Sequence, residues 1–246
     1  MGRNLEKDAI EMAAKNQRIL ENGFRIFSEH GIDTVTMNDV AKAAGIAISS
    51  LYRYYSTKPK LVMGIGTWAW EEYMKAGAEN GARAARPDKT AAEMFDFYLE
   101  SFLDLYRNHK DMLRYNQLLN IYICSEKVPS EHLAAYSKMI GSLSERFQKN
   151  ILKGQEDGTI RSDVSGQEIF SATLHLMLAA TTRYAFGLVY RPEGGTEEEK
   201  ELLVLKQMLL SEFTTKGRCN YLPPEDQIAD QSNRSQHEIF CRNMAK

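Results

Sequence analysis

The stretch "TVTMNDVAKAAGIAISSLYRYYSTKPKLV", residues 34–62, decides how this chain is read. Thr36, with Asp39 three residues on, is a variant of the capping box that opens a helix. Gly45 closes that helix, because glycine enters a left-handed turn without a Cβ penalty. A second short helix follows from Ala47 to Tyr54. Val40, Ala44, Ile46 and Leu51 give the two a shared apolar seam, and Ala41, four residues before Gly45, is small enough for close approach. Thr57-Lys58-Pro59 opens a longer helix, with Thr57 as N-cap and Pro59 tolerated in the first turn. Two short helices joined by a Gly turn form the pattern of a helix-turn-helix.

Charge is distributed unevenly around this stretch. The 246-residue chain has a net charge of −2. Residues 1–62 hold nine Lys and Arg against seven Asp and Glu, and the remainder holds 22 against 26. Between Thr36 and Lys60 stand Lys42, Arg53, Lys58 and Lys60, with Asp39 the sole acid. A local basic patch, rather than net charge, is the footprint of phosphate binding. The outward side of the second helix carries Ala47, Ile48, Ser49, Ser50, Tyr52 and Arg53. A helix of this size fits the major groove, where base edges present distinct donor and acceptor patterns.

Beyond this segment nearly everything reads as helix, and strand-like alternation is absent. A first helix is predicted from about Asn16 to His30, on the stripe Ile19, Leu20, Phe24 and Phe27. The helix opened by Thr57 carries Leu61, Ile65, Trp68 and Ala69 on one side and runs to about Asn80. "NGARAARPDK" reads as a linker. Helices follow at Thr90–Arg107, Lys110–Cys124 and Ser130–Glu156, then a turn over Gly154–Gly166. Residues Gln167–Tyr190 are apolar nearly all round and require cover on most sides. A last strong helix starts at Thr196 or Glu197. With 43% hydrophobic residues there is ample material for a core. The predicted organisation is all-α: a three-helix domain over 1–62, a larger helical domain over 63–217, and a polar tail over 218–246.

Cys124, Cys219 and Cys241 are far apart and odd in number, which argues against a disulfide framework or a zinc site. The charged N-terminus has no apolar signal core, and no run approaches 18 apolar residues. The expectation is a reduced, cytoplasmic protein with no membrane partner, no metal and no cofactor. Five scattered histidines, no Walker-type loop and no Ser/His/Asp framing argue against an enzyme.

Residues 18–62 are dense in matches to one known pattern: the apolar first helix, Gly31, Thr34-Val35-Thr36, Val40-Ala41, Ala44-Gly45, Leu51-Tyr52, Tyr54-Tyr55, and Lys58 with Leu61. In these positions the chain resembles the N-terminal domain of TetR-type transcriptional regulators. The resemblance implies a homodimer of helical subunits that binds a palindromic double-stranded DNA operator and leaves it when a small-molecule effector enters the larger domain. On the matching positions, Thr36 caps the helix and touches a phosphate, and Asn38 lies where helix two reaches DNA. Ala47 opens the recognition helix, which carries Ser49, Ser50 and Arg53. Tyr52 and Tyr54 match phosphate-contacting positions, Lys58 a backbone-anchoring lysine, and Tyr55 a core ring. The chain departs from the pattern at Ala47-Ile48, where a capping residue and a polar one are usual. That departure keeps open an alternative, a helical sensor or interaction protein with lost or weak DNA binding.

In the larger domain the aromatic content suggests an apolar cavity with a few hydroxyls. The candidate effector contacts are Trp68, Tyr98, Phe102, Tyr122, His175 and Tyr184. Dimerisation is expected from Gln167–Tyr190 and Thr196–Thr215, as a four-helix bundle.

Overall fold

The computed structural model describes residues 5–84, 89–126, 128–188 and 197–215. Among these there are nine helices: α1 (Leu5–His30), α2 (Met37–Ala43), α3 (Ile48–Tyr54), α4 (Lys58–Ala84), α5 (Ala91–Asn108), α6 (Lys110–Glu126), α7 (Ser130–Glu156), α8 (Gly166–Phe186) and α9 (Glu198–Phe213). The one extended pairing is an isolated bridge between Ile160 and Thr214, which ties the α7–α8 turn to the end of α9. The predicted all-helical class therefore holds.

Local signals explain most boundaries. Thr36, Thr90 and Ser165 each form a complete capping box with an acid three residues on. Such a cap satisfies backbone N–H groups that no helix carbonyl can reach. Gly45 takes φ +65°, the left-handed conformation that the turn between α2 and α3 requires.

Two boundaries differ from the sequence expectation. α1 begins at Leu5 rather than near Asn16, because Lys15 pairs with Glu11 one turn away, and Tyr54 at the end of α3 and Tyr55 just past it supply tertiary bonds to Met12 and Asn16. An apolar stripe does not report such polar anchors. α4 runs on to Ala84, taking in the first five residues of the expected linker. Tyr190, the predicted end of the apolar helix, and the tail over 218–246 lie outside the described residues; α8 itself ends at Phe186.

Two cores form. Ile19, Phe27, Val40, Leu51, Leu61, Ile65, Tyr115 and Leu119 belong to one, around α1–α3. Trp70, Phe95, Leu99, Phe147, Ile169, Met177 and Leu202 belong to the other. α4 contributes to both, so the boundary expected at residues 62 and 63 falls inside a continuous helix.

Candidate functional site

The N-terminal site is built on two caps of different quality. At α2, the Thr36 hydroxyl accepts from the Asp39 N–H at 3.2 Å and donates to Asp39 Oδ2 at 2.6 Å, while the Thr36 N–H donates to Asp39 Oδ2 at 2.9 Å. These bonds, the hydroxyl's first, hold the Asp39 carboxyl below its ordinary value. The one acid between residues 36 and 60 is thus clasped by its own helix start. At α3, Ala47 occupies the N-cap with extended backbone and makes no side-chain cap bond. Its carbonyl still accepts from the Ser50 and Leu51 N–H groups, at 2.9 and 3.2 Å. The helix forms without the hydroxyl, so the departure at Ala47 removes a cap and not the element.

Leu51 is buried beneath α3, while Ala47, Ile48, Ser49, Tyr52 and Arg53 are exposed and Ser50 is half-buried. Half of Tyr52 (50%) faces solvent. Arg53 Nη2 makes only a long contact, 3.4 Å, to Ser50 Oγ. Asn38 is exposed on α2. The other candidates are engaged inside the fold. The Tyr54 hydroxyl donates to the Met12 carbonyl at 3.2 Å, and the Tyr55 hydroxyl donates to Asn16 Oδ1 at 3.0 Å. Burial pushes the Tyr55 phenol up. Both rings strap the end of α3 to α1, and the Thr36 hydroxyl proton is likewise committed to Asp39. Lys58 Nζ lies 3.4 Å from the Asp33 carbonyl. Burial lowers its pKa, against the opposing pull of Asp33 and Glu126. An ammonium group has three protons, so Lys58 keeps donors for a second partner.

A cavity of about 350 Å³ lies between α4, α5, α6, α7 and α8. Tyr98, Phe102 and His175 line it, as do Trp70, Tyr73, Met74, Asn116, Tyr136, Leu143, Phe147, Phe170 and Thr173. Trp68, Tyr122 and Tyr184 are not on its wall. Trp68 meets Phe24 edge-on, with centroids 6.2 Å apart, and Tyr122 is buried in the N-terminal core. Tyr184 bonds to Glu201; burial first, then that carboxylate, push its phenol up to about 12.

Sequence reasoning missed Trp70, Asn116, Tyr136 and Thr173. For α4 the signal was present: Trp70, Tyr73 and Met74 form their own i, i+3, i+4 stripe, opposite the one through Leu61 and Ile65. For Asn116 there was none, because a lone amide on a helix gives no pattern. Its Oδ1 accepts from Trp70 Nε1 at 3.2 Å and from the Tyr136 hydroxyl at 3.1 Å.

α6 lies between the two sites. Asn116 and Asn120 face the cavity, whereas Tyr115 and Leu119 belong to the N-terminal core. The Tyr115 hydroxyl donates to the Val62 carbonyl of α4. One turn on, α4 and α6 approach so closely at Gly66 that a Cβ there would stand 2.7 Å from Leu119 Cδ2.

Residues 19–63 match the family model described as bacterial regulatory proteins of the tetR family. Over this segment the chain is similar to the TetR family. An HTH-type transcriptional regulator of Staphylococcus aureus (strain bovine RF122 / ET3-1) is 40% identical over 57 residues, 23% of this chain and 29% of that protein. The counterpart from strain USA300 is 39% identical over the same length. The chain thus spans less than a third of the length of these relatives, 29% in each case. Among solved structures, a TetR transcription regulator from Haloarcula marismortui superposes with a TM-score of 0.64 at 15% identity, covering 82% of this chain and 99% of that one. The regulator FadR of Bacillus subtilis, solved in complex with stearoyl-CoA, gives 0.59 at 14% identity, over 80% and 98%. At such identities the likeness is one of fold.

α8 and α9 leave large apolar side chains in solvent: Leu176, Phe186, Leu203, Val204 and Met208. Arg183 of α8 is also exposed, so it needs no buried partner. α9 is held to α5 by charge: Lys206 Nζ lies 2.9 Å from Asp96 and 2.7 Å from Glu100, and Arg107 bridges Glu100 and Glu199. Among the described residues no helix is long and apolar enough to cross a membrane, and no cluster of three His, Cys, Asp or Glu is placed to hold a metal.

Proposed function

We propose that this protein is a DNA-binding transcriptional regulator, a dimeric repressor that grips a palindromic operator and lets go when a small molecule fills the α4–α8 cavity. The observation that carries this reading is the outer face of α3. Ser49, Tyr52 and Arg53 stand exposed there, and Asp39, the one acid between residues 36 and 60, is tied into its cap. Ser49 and Arg53 are assigned to base edges, with Arg53 suited to the O6 and N7 acceptors of guanine. Tyr52, Asn38 and Lys58 are assigned to phosphates. Thr36 and Tyr54 act by holding α2 and α3 in place, since their hydroxyl protons are already used.

Dimerisation through the exposed apolar faces of α8 and α9 sets the separation of two α3 helices. Half-sites about 34–36 Å apart tolerate little error in that separation. An effector in the cavity touches α6 at Asn116, and α6 is bonded to α4 at Val62, close to the start of the helix that carries Lys58. An effector therefore needs only to favour a shifted α4 by a few kcal/mol. That FadR of Bacillus subtilis was solved in complex with stearoyl-CoA supports a ligand for a protein of this fold, without naming the ligand here.

The test is to select genomic DNA fragments with the purified full chain and compare their binding by Tyr52→Ala and Lys58→Ala. Each variant should bind more weakly across all sequences, with a salt slope smaller by about one. Binding equal to that of the parent in both variants excludes this face as the DNA surface.

A further inference from the structure

The cavity wall has a chemical bias that narrows what it accepts. No Asp, Glu, Lys or Arg lines it; His175 reaches it from an exposed position. Burying a charge there without a partner is costly. Thr173 is 1% exposed, lines the cavity, and its hydroxyl has no hydrogen-bond partner. Two turns on, Thr181 makes the usual bond to the carbonyl four residues back, Met177, at 2.7 Å. Thr173 makes no such bond to its own helix, so its proton remains available.

Asn116 offers a second donor. A tryptophan N–H can only donate, so the bond from Trp70 fixes the Asn116 oxygen and leaves the amide nitrogen for another partner. Tyr98, Asn120 and His175 also line the wall, but its two buried polar residues, Thr173 and Asn116, both have a donor to spare.

Resting on the reading of this cavity as the effector site, we propose that the effector is an uncharged, mainly hydrocarbon molecule carrying an acceptor oxygen, of the ketone, ester or lactone kind, received by the Thr173 hydroxyl and the Asn116 amide. The apolar walls supply most of the affinity. The two donors orient the oxygen and discriminate against plain hydrocarbons, because an apolar ligand leaves a buried donor unmet. Arg146 lies outside this wall, with Nη2 on Met74 Sδ at 3.6 Å and Nε on the Ser142 carbonyl at 3.3 Å. It is the place an anionic head would take, which dodecanoate probes.

The experiment titrates the full chain with cyclododecanone, cyclododecane and dodecanoate, following tryptophan fluorescence, since Trp70 is on the wall. The ketone should bind most tightly. Thr173→Val should weaken ketone binding by about five- to tenfold and bind the alkane at least as tightly as the parent, because the unmet donor is gone. Leu143→Trp, and Ile140→Phe as a second filler should the first fail to fold, should abolish binding of every probe. If dodecanoate binds most tightly, or Thr173→Val binds the ketone like the parent, while the fillers still abolish binding, the proposed chemistry is overturned and the cavity remains the site. If a folded filler variant binds the ketone undiminished, or no probe binds the parent, the cavity reading falls and the proposal with it.

Discussion

The Tyr115 hydroxyl donates to the Val62 carbonyl across 2.8 Å, both groups buried where α6 meets α4. Its neighbour on α6, Asn116, is on the cavity wall. Two consecutive residues therefore touch the two halves of the molecule. Tyr115→Phe removes the bond at nearly constant volume, and thermal melting should show a loss of about 1 kcal/mol. Effector-driven release should be blunted while DNA affinity without effector stays near that of the parent. A variant released as fully as the parent by saturating effector would remove this bond from the coupling route.

Gly66 permits the closest approach on the same contact. In Gly66→Ala the new methyl meets Leu119 Cδ2 at 2.7 Å, and Leu119 is fully buried, with no solvent to retreat into. Overpacking of this kind costs about 1–3 kcal/mol. The denaturant midpoint should fall accordingly; an unchanged midpoint would mean that α4 and α6 slide apart freely.

Ala47 leaves α3 without a side-chain cap although its backbone is already extended, at φ −68° and ψ 143°. Ala47→Ser should therefore stabilise the chain, by about 0.5–1 kcal/mol in a melting curve. A loss of stability would show that this position is shaped for a methyl group.

The apolar face of α8 and α9 predicts its own test. Val204→Glu with Met208→Glu places two charges where two subunits should meet. Sedimentation should report a monomer, and binding to a two-half-site DNA fragment should drop far below that of the parent. A dimer unaffected by both charges would move the interface elsewhere.

Glu100 connects α5 to α9. Burial pushes its carboxyl up, but hydrogen bonds from Lys206 and Arg107 outweigh that and hold it below its ordinary value of 4.5. A lowered folded-state pKa adds stability above the unfolded value, which is lost as pH falls through the folded one. Glu100→Gln should melt below the parent at neutral pH, with the gap narrowing as pH drops below 4.5. A gap constant down to strong acid would assign the loss to packing instead.

The fold was legible where sequence carries local chemistry. Thr36, Thr90 and Ser165 sit at helix starts with their acids three residues on, and Gly45 sits at the turn. The outer face of α3 was legible for the same reason, since one short helix fixes which side chains share a side. What escaped were properties of pairs distant in sequence. Tyr54 looked free until α1 extended to meet it at Met12, and Tyr122 looked like a wall residue until α6 turned it toward the other core. Trp68 and Trp70 differ by two positions, yet only the second faces the cavity. Helical phase separated them, and only the neighbours on each side decided which phase lined the cavity.

Phe24, Trp68 and Tyr136 pack against both cores at once. With these rings held in common, and α4 running unbroken through both, heat should be absorbed in a single peak rather than two. Amide hydrogens in α2, remote from the cavity, should then exchange more slowly whenever the cavity is filled.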